Sequence, residues 1–342
     1  MNIPHGKTLL SILAVSLLAA APLTSFSQTA KPGPHQPPVV TPPAVAAPRP
    51  GPLPGNPETS ERSIAVEKNV TINLCVTQGT LKINGWNRKE VRVFVKEGSK
   101  FDYLVKQKNG TNPVWIQMIG VPSGKGRNIP PSECISGDEI EVDAPVEASV
   151  SINGGDTTSV IDSIRKVDVK TIGGDITIRN ISGAIRASSG QGSITVDESE
   201  GAMNLESTTG NIVVFEARPS EPGDGFRAKT NNGNVLLQRV EHRQVEVGSV
   251  SGSVVFSGEI LTGGTYGFNT TNGSLKLSIP ERSSCHVIAT YGYGSFNSEL
   301  PIKFETEDVS PGPIKRRVGT MGNGSATVRL TTNSGSIAIK RQ

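Results

Sequence analysis

Residues 174–214 read Gly174-Asp-Ile-Thr-Ile-Arg-Asn-Ile-Ser-Gly183-Ala-Ile-Arg-Ala-Ser-Ser-Gly-Gln-Gly192-Ser-Ile-Thr-Val-Asp-Glu-Ser-Glu-Gly201-Ala-Met-Asn-Leu-Glu-Ser-Thr-Thr-Gly210-Asn-Ile-Val-Val214. A glycine returns every nine residues, and the second and fourth positions after it are apolar: Ile176/Ile178, Ile185/Ala187, Ile194/Val196, Met203/Leu205 and Ile212/Val214. Alternation at period two describes a strand with one buried face. A reset at every glycine describes a corner followed by the next strand. A fixed period of this kind marks a repeat architecture.

Outward from this stretch the spacing loosens but the grammar holds. The glycines at the Ser/Thr-rich corners continue as Gly233, Gly252, Gly273, Gly294, Gly324 and Gly335. Each is followed by Asp, Asn or Ser, and most are preceded by a hydroxyl three residues earlier, as at Thr171, Ser189, Ser207, Thr230, Ser249, Thr270 and Thr332. Glycine permits positive φ at a tight corner, and short polar side chains bond back to the turning backbone. An incoming apolar pair recurs before the glycine, as in Val167/Val169 and Val245/Val247. The unit is therefore two strands and two corners. A stack of parallel coils and an antiparallel meander both accommodate such a unit. Recurrence of the same residue types at the same corner favours the stack: an all-β β-solenoid of about nine two-strand coils, roughly 45 Å long at ~4.8 Å per coil. Two long intervals, Pro219–Gly225 and Glu299–Val318, are expected to bulge out at corners, with Lys315, Arg316 and Arg317 in a solvated loop.

Composition agrees. Glycine supplies 38 of 342 residues and aromatics only 4%, which suits thin coils with small interior side chains. A formal net charge of +3, without a basic stripe interleaved with aromatics, gives no nucleic-acid signature. At the N-terminus, Lys7 precedes the apolar run Leu9–Leu23 and small residues follow, which reads as a signal peptide over 1–27. Residues 28–62 are a Pro-rich disordered linker, extended where polyproline II persists. Residues 63–150 carry irregular strand signals and read as an N-terminal cap; residues 151–342 form the repeat domain. No transmembrane span is expected in the mature chain, which with the signal peptide reads as an exported protein that is periplasmic, extracellular or associated with the cell surface.

The run Gly79-Thr-Leu-Lys-Ile-Asn-Gly-Trp86-Asn-Arg-Lys-Glu90-Val-Arg-Val-Phe-Val95 resembles the opening of the adhesin-like family DUF4097. Three later segments extend the likeness to roughly residues 63–342: Glu139–Pro145, the Gly-x-apolar-x-apolar coils, and the closing 322–339. The resemblance implies an envelope-associated β-solenoid of undetermined biochemical role and brings no catalytic residues. The long stretch 98–137 departs from the family pattern.

Three cysteines, Cys75, Cys134 and Cys285, suggest one bridge and one leftover thiol in an oxidising compartment. Cys75 with Cys134 is the expected pair, because a bridge there pins the long loop between them. Cys285 and His286 are neighbours on a strand and point to opposite faces, so they form no local nucleophile pair. His35, His242 and His286 lack metal-site spacing, no Gly-x-Ser-x-Gly elbow occurs, and Gly120–Gly126 falls short of a phosphate loop. No catalytic residue, metal ligand or cofactor site is assigned. Among residues expected to face outward, Val213, Phe215, Leu236 and Val255 are apolar and sit in successive coils, which marks a covered or contact surface. The leading reading is a non-enzymatic exported binding or scaffold module whose partner is an unknown envelope protein or glycan. A carbohydrate-active enzyme on the same scaffold is the alternative; it needs carboxylates on adjacent coils, and the column after the glycine offers only Asp175. An envelope-stress sensor acting through a partner fits the chain equally.

Overall fold

The computed structural model describes residues 59–107, 111–121, 132–308 and 313–342. The signal peptide, most of the Pro-rich linker and most of the Gly120–Gly126 loop lie outside these residues. Every regular element among them is a strand. The N-terminal strands are β1 (Thr59–Ala65), β2 (Thr71–Trp86), β3 (Glu90–Gly98), β4 (Lys100–Lys106), β5 (Trp115–Val121), β6 (Gly137–Pro145) and β7 (Ser149–Asp162). The repeat continues as β8 (Lys166–Gly173), β9 (Ile176–Arg179), β10 (Ile185–Gln191), β11 (Ile194–Glu200), β12 (Met203–Thr209), β13 (Ile212–Arg218), β14 (Gly225–Asn232), β15 (Val235–Val240), β16 (Gln244–Ser251), β17 (Val254–Ser257), β18 (Thr265–Asn272) and β19 (Leu275–Ile279). The chain closes with β20 (Cys285–Tyr293), β21 (Phe296–Ser298), β22 (Lys303–Asp308), β23 (Lys315–Met321), β24 (Ala326–Ser334) and β25 (Ile337–Arg341).

Each nine-residue unit is one strand, and successive units alternate between two sheets. In the first, β8, β10, β12, β14, β16 and β18 pair in parallel; in the second, β9, β11, β13, β15, β17 and β19 do the same. Register is strict, so Ile185 stands beside Val167 and Met203, and Ile194 beside Ile176 and Ile212. The apolar alternation thus becomes continuous interior columns. Val167, Ile185, Met203, Phe226 and Val245 are all buried on one side, facing Ile176, Ile194, Ile212, Val235 and Val254 on the other. Each such side chain contributes about 1.5–3 kcal/mol by leaving water. Long strands β2 and β7 turn a corner within themselves and take part in both sheets.

Two expectations change here. Coils were expected to stack in chain order, but β24 pairs with β18 on one side and β20 on the other, while β25 lies between β19 and β21. The C-terminal coil is inserted beneath β20–β21. The interval Glu299–Val318 is also no corner bulge. It supplies the hairpin β22–β23, which pairs antiparallel along the outer edge of β20. Lys315–Arg317 therefore begin a strand; Arg317 turns inward, with its guanidinium 5.6 Å from the Phe296 ring centre and 5.7 Å from that of Phe304. Inserting the last coil protects it on both edges, and an added antiparallel hairpin ends the parallel ladder of the first sheet.

Antiparallel strands also flank the other end. Beyond β2, the first sheet adds β5 and then antiparallel β4; the second adds β6 and then antiparallel β3 and β1. A contact between the two sheets closes this end: Arg62 on β1 bridges Asp102 on β4 at 2.7 Å, and the Tyr103 hydroxyl donates to the Arg62 carbonyl.

Candidate functional site

The corner glycines divide by position. Gly192, Gly210, Gly233, Gly252, Gly273 and Gly335 stack in one column, and a Cβ built on each would lie about 2 Å from the carbonyl oxygen of the glycine in the preceding coil. Gly174 begins this column against Thr157, and Gly294 ends it against Gly335. Gly183 and Gly201 belong to the opposite corner, whereas Gly324 lies in the turn between β23 and β24. The hydroxyls before the glycines do not serve their own turns, as the sequence reading held. They reach to the preceding coil: Ser207 donates to the Gly192 carbonyl, Thr230 to Gly210, Ser249 to Gly233, Thr270 to Gly252 and Thr332 to Gly273, at 2.8–2.9 Å. The residues after the glycines form a second ladder. Asp175 Oδ1 accepts from Ser193 N, Asn211 Oδ1 from Asn234 N, and Asn234 Oδ1 from Ser253 N. This polar corner is committed to holding coils together and offers no spare chemistry.

The outward face of the second sheet is different. Register places Val213 beside Leu236 and Leu236 beside Val255, so the three form one row across adjacent strands, with Phe215 two residues along β13. All four are half-buried. The row runs on through Thr195, Thr177 and Val160 in one direction and through Lys276, Ala338 and Asn297 in the other. The structure thus brings the four apolar residues into one flat strip. On its flanks the outward positions are charged: Arg179 pairs with Asp162 at 3.3 Å, and Arg92 with Asp143 farther along.

A second feature escaped the sequence reading. The sixth residue after Gly174, Gly192, Gly210 and Gly233, namely Asn180, Glu198, Glu216 and Arg239, has φ between 43° and 54°, a left-handed conformation that non-glycine residues seldom adopt. These four line an open groove of about 480 Å³ with Arg218 and Glu241. The signal lies in a fixed position of the repeat, but Glu and Arg there carry no local mark of a left-handed turn. Glu198 and Glu216 stand on adjacent coils, the arrangement a glycan-cleaving site requires. Arg239 engages Glu216, and Arg218 engages Glu200 at 2.6 Å, so Glu216 and Glu200 are held in exposed ion pairs.

The cysteines and histidines occupy structural places. Cys75 on β2 and Cys134 are joined in a disulfide, with Cα atoms 4.4 Å apart. Cys285 is wholly buried, and burial pushes its thiol up to about 11. His286 points the other way and pairs with the Thr320 hydroxyl. His242 fills the corner beneath the Pro219–Gly225 loop; its ring lies 5.7 Å from Phe226, and Nε2–H donates to the Gly201 carbonyl at 2.8 Å. Among the described residues no cluster of His, Cys, Asp and Glu has the makings of a metal site, and no helix is long and apolar enough to cross a membrane.

No curated protein matches this chain in sequence. Three solved structures are similar in part. A candidate adhesin from Bacteroides fragilis is 13% identical, with a TM-score of 0.39 over 83% of this chain and 97% of its own. A candidate cell adhesion protein from Clostridium sporogenes is 13% identical, with a TM-score of 0.26 over 84% of this chain and all of its own. A candidate lipid-binding protein from Parabacteroides distasonis is 11% identical, with a TM-score of 0.23 over 84% and 98%. These scores are too low to carry an argument about function. The Toastrack DUF4097 family, by contrast, matches residues 59–340, nearly the whole of the described chain. The parallel columns, the closing Gly322–Ile339 segment and this match agree, and the chain belongs to the Toastrack DUF4097 family.

Proposed function

We propose that the chain is an exported, non-catalytic binding module of the cell envelope, which holds an envelope protein or glycan against the outward face of its second sheet. The strip Val213–Leu236–Val255 with Phe215 carries this reading. Outward positions of a solvated sheet are ordinarily polar, and a contiguous apolar row on a rigid, flat surface is what a contact face needs. The Cys75–Cys134 bridge supports an oxidising compartment, where such bonds persist. The periplasm and the cell surface both meet that condition.

The test is retention of envelope fractions and immobilised polysaccharides by the parent protein and by a Leu236→Lys/Val255→Lys variant. Lys276 already occupies the next position of the same row, so lysine there is compatible with the fold. Retention should weaken at least tenfold, equivalent to about 1.4 kcal/mol, without a change in melting temperature. Unchanged retention by the folded variant would remove the strip from consideration. The catalytic reading rests on Glu198 and Glu216 and is assayed in the same incubations: new reducing ends or unsaturated products that vanish in Glu216→Gln would install an enzyme in place of a binding module.

A further inference from the structure

The two ends of the first sheet complement each other. At the N-terminal end its last strand is β4, and at the C-terminal end its last strand is β22; among the described residues each pairs on one side only. Unpaired edges of this kind are templates for another strand. Both carry partly exposed apolar side chains: Leu104 is 49% exposed and Val105 41% on β4, and Phe304 on β22, packed edge-on against Phe296, is still 43% exposed. Their charges are opposite. The β4 sequence has two lysines and one aspartate, and that aspartate, Asp102, is already bridged to Arg62. The β22 sequence has one lysine against three acidic residues, of which Glu307 and Asp308 stand in register with Arg317 and Arg316 of β23 and Glu305 does not face a cation there.

Strand direction agrees as well. β5 runs parallel to the coils and β4 antiparallel to β5, so β4 opposes the coil direction. β23 opposes β20 and β22 opposes β23, so β22 follows it. When two copies are stacked with their coils in the same sense, β22 of one meets β4 of the next as an antiparallel pair, the usual geometry for edge addition. The ends are staggered in the sense this stacking needs, with the space of one strand left open in the second sheet. At the C-terminal end the first sheet projects two strands beyond β20, whereas the second stops at β21; at the N-terminal end the second sheet has three strands beyond β2 and the first has two.

From this we infer that the partner of the β22 edge is the β4 edge of a second copy of this chain, in a head-to-tail contact that continues the first sheet from one molecule into the next. Such a contact is heterologous and propagates into linear chains rather than closing as a two-fold dimer. Closure through β22 against β22 sets acidic strand against acidic strand, which is destabilising. A linear array repeats the outward strip of the second sheet along its length and multiplies weak contacts.

Sedimentation velocity of the full chain, from micromolar to about 1 mM, measures this directly, since a small interface still registers in that range. The expected result is a sedimentation coefficient that climbs continuously with concentration. A Leu104→Glu/Lys106→Glu variant loses one edge and Glu305→Lys loses the other. Each alone should remain monomeric with the parent's circular dichroism spectrum and melting temperature, and an equimolar mixture should form a one-to-one dimer through the remaining intact β22 and β4 edges. A parent that stays monomeric throughout the range, a dimer that stops at two copies, or a mixture that fails to associate would each overturn the inference. Loss of strip-dependent retention by the monomeric variants does not enter this test, which keeps it separate from the proposed function.

Discussion

At Gly210 a methyl group has no room, because a Cβ there would lie 2.1 Å from the Gly192 carbonyl oxygen. The obstruction is backbone of the neighbouring coil, which cannot rotate away as a side chain would. Its φ of 154° adds a conformation that other residues avoid. Gly210→Ala is therefore expected to lower unfolding free energy by roughly 3 kcal/mol or more, read from a urea transition, although the methyl is the smallest possible addition. His242 makes a different prediction. Burial pulls its pKa below the ordinary 6.5, against the upward influence of its bond to the Gly201 carbonyl and the charges of Asp224 and Glu241. With the folded value depressed, the unfolded chain takes up the proton first, so stability is complete above pH 6.5 and declines as pH falls below it. The urea midpoint should drop between pH 7.5 and 5.5, and His242→Gln should reduce that slope by up to one proton, about 1.4 kcal/mol per pH unit. An identical pH profile in the variant would show that the imidazole does not titrate with unfolding.

At the scale of the element, the strand repeat explains itself locally but its ends do not. Within β8–β19 the alternation, the glycine column and the two hydrogen-bond ladders all specify the same register, so a slip by one residue would expose both apolar rows. Outside the repeat, long-range links take over. The Cys75–Cys134 bridge spans 59 residues and ties β2 to the segment where Ile135 N donates to the Cys75 carbonyl at 2.9 Å. Closing a loop of that length stabilises by about 4 kcal/mol in the chain-entropy account. A Cys75→Ser/Cys134→Ser variant should lose up to that amount, first as proteolytic sensitivity of residues 98–137, whereas the coils from β8 onward keep their protection from hydrogen exchange. Uniform loss of protection across the whole chain would show that the coils and the N-terminal strands unfold as one unit.

For the whole molecule, the order of the stack differs from the order of the chain. β20 and β21 pair with neither β18 nor β19, because β24 and β25 occupy the places between them. Residues 326–341 are thus required before the last coil can dock, and the antiparallel β22–β23 hairpin holds the outer edge of β20. The first sheet ends in strands whose sequences carry opposite net charge, on which the head-to-tail inference rests, while the strip proposed as a binding face lies on the second sheet.

Much of this was legible in the residues. Period-two alternation with glycine every nine positions determined two-strand coils and which aliphatics face inward, since only a stacked parallel ladder sets identical residues beside one another. The outward row Val213, Leu236 and Val255 was also readable, because a fixed repeat converts sequence position directly into place on a surface. Three features depended on tertiary structure. The inserted C-terminal coil is one, because β24 carries the same apolar pattern as any other coil and periodicity cannot say which neighbour it will find. The hairpin of Lys315–Arg317 is another, as its pairing with β20 spans some 30 residues and leaves no local signature. The third is the purpose of the corner hydroxyls: Ser, Thr and Asn suit a turn and a ladder equally, and only the approach of the next coil's carbonyl decided between them.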